Sequence, residues 1–381
     1  MTQEVSFLPP LDCFLVADDL TGACDSAVHF AVRGRHVVVP VAAGAQGVEG
    51  SVVAINTNSR SLEPAAARNA IVAAAGLPAG SPRFLFKKID STLRGHPGIE
   101  ISAMLTSFGC NAALVCPAFP NMSRVVEGGL LLVPDAPDFH PIQVAAYLRS
   151  QNVTGCIHTR REAIPNAIAA GARVVVADAV CDADLDQIAA IGLALDIRVL
   201  WAGSGGLAAA LARTLAIKPR PLAETLSRGP VLFCLGSDHP ATTAQQAALV
   251  AERQALVAHA GLTDTREIAG ALISDRPVVL RLFPGRASAA WVQQLAASVR
   301  LAALALCGGD TAEEICRTAG VHWIEILDEI IPGVPRGVMR GGVFDGVPTV
   351  TKSGAFGGGD ALIQIADYFT CQTEKTCPPL P

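Results

Sequence analysis

Aromatic side chains make up only 5% of the 381 residues and charged ones only 17%. With 29 lysines and arginines against 34 aspartates and glutamates, a net charge of -5, the composition argues against a nucleic-acid-binding protein. There is no Cys-x-x-Cys pair, and the 11 cysteines are odd in number, several of them in apolar runs, such as Cys116 and Cys234. That pattern fits reduced, buried thiols rather than a disulfide framework or a zinc site. Missing too are His-Glu-x-x-His, Gly-x-Ser-x-Gly and Gly-x-x-x-x-Gly-Lys-Ser/Thr, which speaks against a zinc protease, an α/β-hydrolase and a P-loop NTPase of the usual kind. The histidines are scattered, and His96 and His239 alone adjoin polar motifs.

Nor is there an unbroken apolar span. The mean hydropathy of +0.41 comes largely from alanine. The longest uncharged run, Ile101 to Ser123, is interrupted by Gly109, Asn111, Pro117, Pro120 and Asn121. A membrane-spanning helix needs about 20 mostly apolar residues, so this run predicts a helix end, a turn and a buried strand. The opening MTQEVSFLPPLDC has no basic region ahead of an apolar core, and the expectation is a cytoplasmic protein without a signal peptide.

What is present is alternation. Val37–Val41, Val52–Ile55, Phe84–Ile89, Ala112–Cys116, Val174–Ala177 and Val199–Ala202 read as buried strands. Pro64–Ala75, Pro97–Phe108, Asp182–Leu193 and Gly206–Leu215 have helical period. The proline-rich, mixed-charge stretch 218–230 interrupts the pattern, which then resumes with strands Val231–Leu235, Val278–Leu282 and Leu301–Cys307 and helices Pro240–Ala251, Ala287–Val299 and Thr311–Ala319. The prediction is an α/β protein of two domains, 1–217 and 231–381, joined by a linker at 218–230, each a mainly parallel sheet flanked by helices.

Chemistry concentrates where strands end. Cys13-Phe-Leu-Val-Ala-Asp-Asp-Leu-Thr-Gly-Ala-Cys-Asp25 places Asp18 and Asp19 after a buried strand and before a helix. Open α/β sheets bind ligands at such carboxyl ends. Adjacent carboxylates can accept from substrate hydroxyls, hold a metal or act as a base, whereas one aspartate would suffice as a helix cap. In Phe86-Lys-Lys-Ile-Asp-Ser-Thr-Leu-Arg-Gly-His-Pro-Gly98, Lys88, Asp90, Ser91 and Arg94 crowd a turn. A guanidinium fork and an ammonium there suit a carboxylate or phosphate, although a solvated loop salt bridge would give the same pattern. Val115-Cys-Pro-Ala-Phe-Pro-Asn-Met-Ser-Arg124 is weaker, a strand followed by a proline-bounded loop. The turn Gly203-Ser-Gly-Gly206 superficially suits a dinucleotide fold but is better explained by close strand–helix packing. Three glycine-rich turns, around Gly236-Ser237, Cys307-Gly308-Gly309-Asp310-Thr311 and Lys352-Ser353-Gly354, crowd the second half. Such turns let backbone N–H groups converge on an anion at a helix N-terminus, and together they point to a polyphosphate site.

ADDLTGACD, KKIDSTLRG, CPAFP, AGSGGLA, GSDHPATTAQQ, GGDTA, PGVPRG and TKSGAFGG follow one another in an order that resembles the four-carbon acid sugar kinases. The resemblance implies an N-terminal sugar-acid-binding domain, a C-terminal nucleotide-binding domain and an active site in the cleft between them. It implies ATP and Mg²⁺, and a threonate, erythronate or oxo-tetronate as acceptor. It places Asp18, Asp19, Lys88, Asp90, Ser91 and Arg94 around the sugar acid. It places Ser237, Cys307, Gly308, Gly309, Asp310, Thr311, Gly333, Val334, Pro335, Lys352, Ser353, Gly354, Phe356 and Gly357 near the nucleotide. Cys307 stands where the family commonly has serine. The expectation is that Arg94 and Lys88 hold the carboxylate and that Asp18 and Asp90 hold hydroxyls. Asp19 is expected to deprotonate the attacking hydroxyl, in a role exchangeable with Asp90, and Asp310 to meet Mg²⁺ through water. A homodimer is also expected. The alternatives are a metal-dependent phosphohydrolase, a dinucleotide oxidoreductase and a sensor that binds both ligands without turnover.

Overall fold

The computed structural model describes residues 11–41, 50–78, 81–136, 138–218, 228–282 and 299–370, together with Val292 and Leu295. Most of the expected 218–230 linker and of the expected helix Ala287–Val299 lies outside them.

The first half supplies strands β1 (Cys13–Ala17), β2 (Val37–Pro40), β3 (Val52–Asn56), β4 (Phe84–Lys88) and β5 (Ala112–Cys116). A small antiparallel excursion follows, β6 (Val125–Glu127), β7 (Leu130–Leu132) and β8 (Ile142–Gln143), and then β9 (Cys156–Thr159), β10 (Val174–Ala177) and β11 (Val199–Gly203). The second half adds β12 (Val231–Leu235), β13 (Leu256–His259), β14 (Val278–Arg281), β15 (Ala303–Cys307), β16 (Trp323–Ile331), β17 (Val334–Arg340) and β18 (Pro348–Lys352). Runs such as CFLVA and VLFCL are buried along their whole length, as strands covered by helices on both faces must be.

The two halves share one sheet of 15 strands, ordered β13-β14-β12-β15-β18-β17-β16-β2-β3-β1-β4-β11-β5-β10-β9. The strands from β2 to β9 in that order are parallel to one another, and so are those from β13 to β18. Between the blocks, β16 and β17 form an antiparallel ribbon, pairing with β2 on one side and β18 on the other. Three antiparallel steps make the two blocks run in opposite senses. Six pairings separate β1 from β15. A twist of roughly 20–25° per pairing accumulates to roughly 120–150° over them, which swings the carboxyl ends of the second block round towards those of the first.

Helix α1 (Leu20–Ala31) lies at that junction and is buried on nearly every side. Gly22, Ala23, Cys24, Ser26, Ala27 and Ala31 keep it slim enough for sheet and helices to close on it from both halves. Among the described residues no helix is long and apolar enough to cross a membrane. The nine described cysteines are free thiols, all buried except Cys181.

Candidate active site

Asp18 and Asp19 follow β1 directly. Asp19 caps α1 by accepting from Gly22 N at 2.9 Å, and it also takes the Thr21 hydroxyl at 2.8 Å. One guanidinium serves both acids. Arg60 Nε and Nη2 donate to Asp18 Oδ2 and Oδ1 at 2.9 and 2.8 Å, and Nη1 and Nη2 donate to Asp19 Oδ2 and Oδ1 at 2.8 Å each. Burial alone would lower the Arg60 pKa, but Asp19 and Asp18 outweigh it and hold the group firmly cationic.

Arg60 is held by the loop after β3. Thr57 N and Oγ1 donate to Ala17 O, and Ser59 N and Arg60 N donate to Asp18 O. Ser59 Oγ donates to Glu100, whose other oxygen meets the fully buried Lys87 Nζ at 2.9 Å. A closed polar network of this kind fixes a loop because each buried member needs its partner.

Asp90 accepts from Thr92 N at 3.0 Å, from the Thr92 hydroxyl, and from Arg94 N, Nε and Nη2 at 3.3, 3.0 and 2.6 Å. Burial would raise its pKa, but the Arg94 and Arg60 charges and these donors hold it well below the usual carboxylate range. Arg94 is therefore already paired in a fork with Asp90, although its side chain is 57% exposed at the cleft.

Behind Asp19 the cleft narrows to a blind end lined by Thr21, Gly22, Asp25, Arg60, Lys88 and Ser91, among others. Its free space is about 10 Å³, enough for about one water-sized group. Lys88 is 4% exposed, and among the described residues its ion-pair partner is Asp25 Oδ1 at 3.5 Å. Gly22 makes room for this pair, since a Cβ there would lie 3.0 Å from Lys88 Nζ and 2.4 Å from Asp19 Oδ1.

The glycine-rich turns of the second half face this cluster. A cleft of about 220 Å³ is bounded by Asp19, Thr21, Arg60 and Arg94 on one side. Gly236, Ser237, His239, Gly308 to Thr311 and Ser353 to Ala355 bound it on the other. Gly308 has φ +107°, and the helix Gly309–Thr318 starts beside it. A Cβ on Gly309 would sit 2.5 Å from Asp19 Oδ2, and one on Gly354 would sit 2.2 Å from Ser237 Oγ. The turns are therefore packed backbone-close, which suits N–H groups presented to phosphates.

The third turn is held from beneath. Lys352 Nζ donates to the carbonyls of Ser353, Phe356 and Gly354 at 3.0, 2.9 and 3.4 Å. Gln245 Nε2 donates to the carbonyls of Phe356, Gly357 and Gly358, and the Thr242 hydroxyl donates to that of Gly354. Lys352 is 1% exposed, so its charge shapes the loop rather than meeting a ligand directly.

Of the residues singled out in sequence, the structure brings Asp19, Arg94, Ser237, Gly308, Gly309, Asp310, Thr311, Ser353 and Gly354 to the main cleft. It brings Lys88, Asp90, Ser91 and Phe356 to the blind end, beside the Asp18–Arg60 pair. Cys307 lies buried at the end of β15, its thiol pushed up to about 11 by burial. Gly333 sits in the β16–β17 turn and packs against Phe356, and Val334 and Pro335 begin β17, so none of the three lines either space. Gly357 lines a neighbouring cleft with Arg124, whose guanidinium stacks over Phe356 at 6.0 Å. Arg60 and Asp25 were not among the expected site residues. The signal for Arg60 was the polar run Asn56-Thr-Asn-Ser-Arg60 closing a buried strand. Asp25 follows Gly22 by three residues, the spacing that puts both on one face of α1.

Residues 13–211 match the family model described as a sugar-binding N-terminal domain, and residues 284–362 match the one described as a nucleotide-binding C-terminal domain. A D-threonate kinase of Bordetella bronchiseptica is 36% identical, over 92% of this chain and 96% of its own. A D-erythronate kinase of Heliobacterium modesticaldum is 28% identical over 93% and 96% of the two chains, and a 3-oxo-tetronate kinase of Pseudomonas fluorescens 29% identical over 94% and 97%. Among solved structures, a Salmonella typhimurium protein described as a putative tRNA synthase superposes with a TM-score of 0.71 at 22% identity, covering 94% of this chain and 99% of its own. A Haemophilus influenzae protein gives 0.68 at 20% identity, covering 93% and 100%. At those identities the two structures bear on the fold alone.

Proposed function

The chain belongs to the four-carbon acid sugar kinase family, and we propose that it transfers the γ-phosphoryl group of ATP to a hydroxyl of a small sugar acid of the threonate, erythronate or oxo-tetronate kind. The observation that carries this reading is one cleft with two chemically different walls. Carboxylates and cations at the ends of β1, β3 and β4 face three glycine-rich turns at the ends of β12, β15 and β18. On this reading 1–217 supplies the acid-binding side, 231–381 the nucleotide side, and 218–230 joins them.

Phosphoryl transfer asks a protein mainly for positioning and for charge stabilisation. The N–H groups of Gly309 and Ser353, with the start of the helix Gly309–Thr318, would receive the phosphates, while Gly308 N–H is held by Lys352 O at 2.9 Å. Asp18, Asp19 and Asp90 would hold Arg60 and Arg94 in place, and those guanidinium groups, which line the cleft, would meet the acid's oxygens. Arg94, at the main cleft, is the cation best placed for the acid's carboxylate. Its Nε and Nη2 stay on Asp90, and its Nη1 takes no hydrogen bond among the described residues. Lys88, buried beside the N-terminal turn of α1 and paired with Asp25, adds positive charge behind it.

Among the described residues no cluster of three or more acids, histidines and cysteines makes a metal cage. Mg²⁺ bound with a nucleotide needs only one or two carboxylates, with phosphate oxygens and waters supplying the rest. Asp310, at the cleft beside Gly308 and Gly309, fits that requirement and would hold the ion. When bound, Mg²⁺ neutralises phosphate charge.

The test is ADP release with Mg·ATP across C3 to C6 sugar acids and their 2- and 3-oxo forms. Release that depends on one acid, with a phosphorylated acid as the second product, establishes the kinase. Inorganic phosphate freed from a phosphorylated acid without nucleotide would replace it with a hydrolase.

A further inference from the structure

The acids nearest the cleft are heavily engaged. Asp19 accepts from Arg60 twice, from Thr21 and from Gly22. Asp90 takes five donors. A carboxylate has about four lone-pair sites, so both are full. Asp18 is forked by Arg60 and lines neither the cleft nor the blind end, so a further proton acceptor must be sought elsewhere.

Asp25 is 3% exposed and lines the blind end. Both of its contacts fall on one oxygen, Oδ1, which accepts from Ser26 Oγ at 2.7 Å and meets Lys88 Nζ at 3.5 Å. Oδ2 takes no hydrogen bond among the described residues. The space that Asp25 lines admits about one hydroxyl-sized group. Asp19, Arg60 and Ser353 line both the blind end and the main cleft, so a hydroxyl placed there lies next to the phosphate side.

We propose that Asp25, rather than Asp19 or Asp90, is the catalytic base, accepting the proton of the sugar-acid hydroxyl that enters the blind end beside Lys88. This rests on the kinase reading above. The step balances: the hydroxyl proton passes to Asp25, and its oxygen bonds to the γ-phosphorus. The bond from that phosphorus to the β–γ bridging oxygen breaks, and its electron pair leaves on ADP. The proton then passes from Asp25 to solvent as products depart.

The surroundings suit the role. Burial raises the Asp25 pKa, with Lys88 and Ser26 opposing, to about 6, within reach of neutral pH, where a general base works best. The groups that face it are Lys88 of β4, Asp19 and Cys24 of α1, and Glu329 of β16, itself raised by burial.

The experiment compares wild type and Asp25→Asn in the ADP-release assay on the acid that wild type uses. The expectation is a fall in kcat of about 10²- to 10⁴-fold, with KM for both substrates within about threefold, and an acid limb near pH 6 in the wild-type kcat profile. A variant keeping more than a tenth of wild-type kcat overturns the proposal. Where Asp25→Asn does not fold, the wild-type profile decides: a limb near pH 6 supports the assignment and a flat kcat from pH 5 to 8 refutes it. A wild type that turns over none of the acids refutes the kinase reading itself, and this assignment with it.

Discussion

Arg60 is the residue whose removal the structure predicts most sharply. Its side chain is 23% exposed, while those of Asp18 and Asp19 are 3% and 8% exposed. The methionine in Arg60→Met keeps the side-chain length but leaves two adjacent buried carboxylates with no counter-charge. Stripping one partner from a buried ion pair costs about 3–5 kcal/mol, and here two acids lose the same partner, so the upper end of that range is expected at pH 7.5. Urea unfolding at pH 7.5, followed through the buried Trp201 of β11, reads the effect as a shift in midpoint. A deficit below about 1 kcal/mol at pH 7.5, far short of the cost of a broken buried pair, would refute the reasoning.

Three further outcomes are expected. Gly309→Ala places a methyl 2.5 Å from Asp19 Oδ2, so kcat/KM should fall at least about tenfold, the equivalent of about 1.4 kcal/mol, in steady-state assays. His29 is half-buried with its Nε2 shut off from solvent and unpartnered among the described residues, and burial of the ring lowers its pKa to about 4 against 6.5 for the free side chain. The unfolded chain therefore binds more protons between those values, and stability rises with pH across that window. The gain is about 3 kcal/mol at most, and His29→Leu should flatten that part of the stability profile measured by urea midpoints. Lys352→Met leaves three carbonyls of the 353–356 loop without their ammonium donor. It should destabilise by about 3 kcal/mol and weaken ATP binding in calorimetry, with affinity for the sugar acid unchanged.

Much of the molecule was legible in sequence because buried parallel strands write continuous apolar runs and helices write a period of 3.6. Ala112–Cys116, Val174–Ala177 and Val231–Leu235 begin and end where that pattern does. The ribbon β16–β17 was not among the expected strands. Its alternation is broken by register shifts after Ile326 and after Glu329, so neither period is clean. The site was half legible. Acids and glycines at strand ends are local signals, and they pointed to Asp18, Asp19, Asp90 and the three turns.

Local sequence does not contain strand order. That β3 lies beside β1, and so delivers Arg60 to Asp18 and Asp19, follows from pairing between segments some forty residues apart. Likewise, the chain shows two blocks of alternating strands and helices, but not that an antiparallel ribbon joins them into one twisted sheet. Composition and periodicity by themselves determined the class of fold, and the residue types at the strand ends pointed to anionic, phosphate-bearing ligands. Tertiary structure alone decided which charges meet. It pairs Arg94 with Asp90, buries Lys352 under its loop and leaves one oxygen of Asp25 open, because side-chain partners are set by packing between distant elements rather than by spacing along the chain.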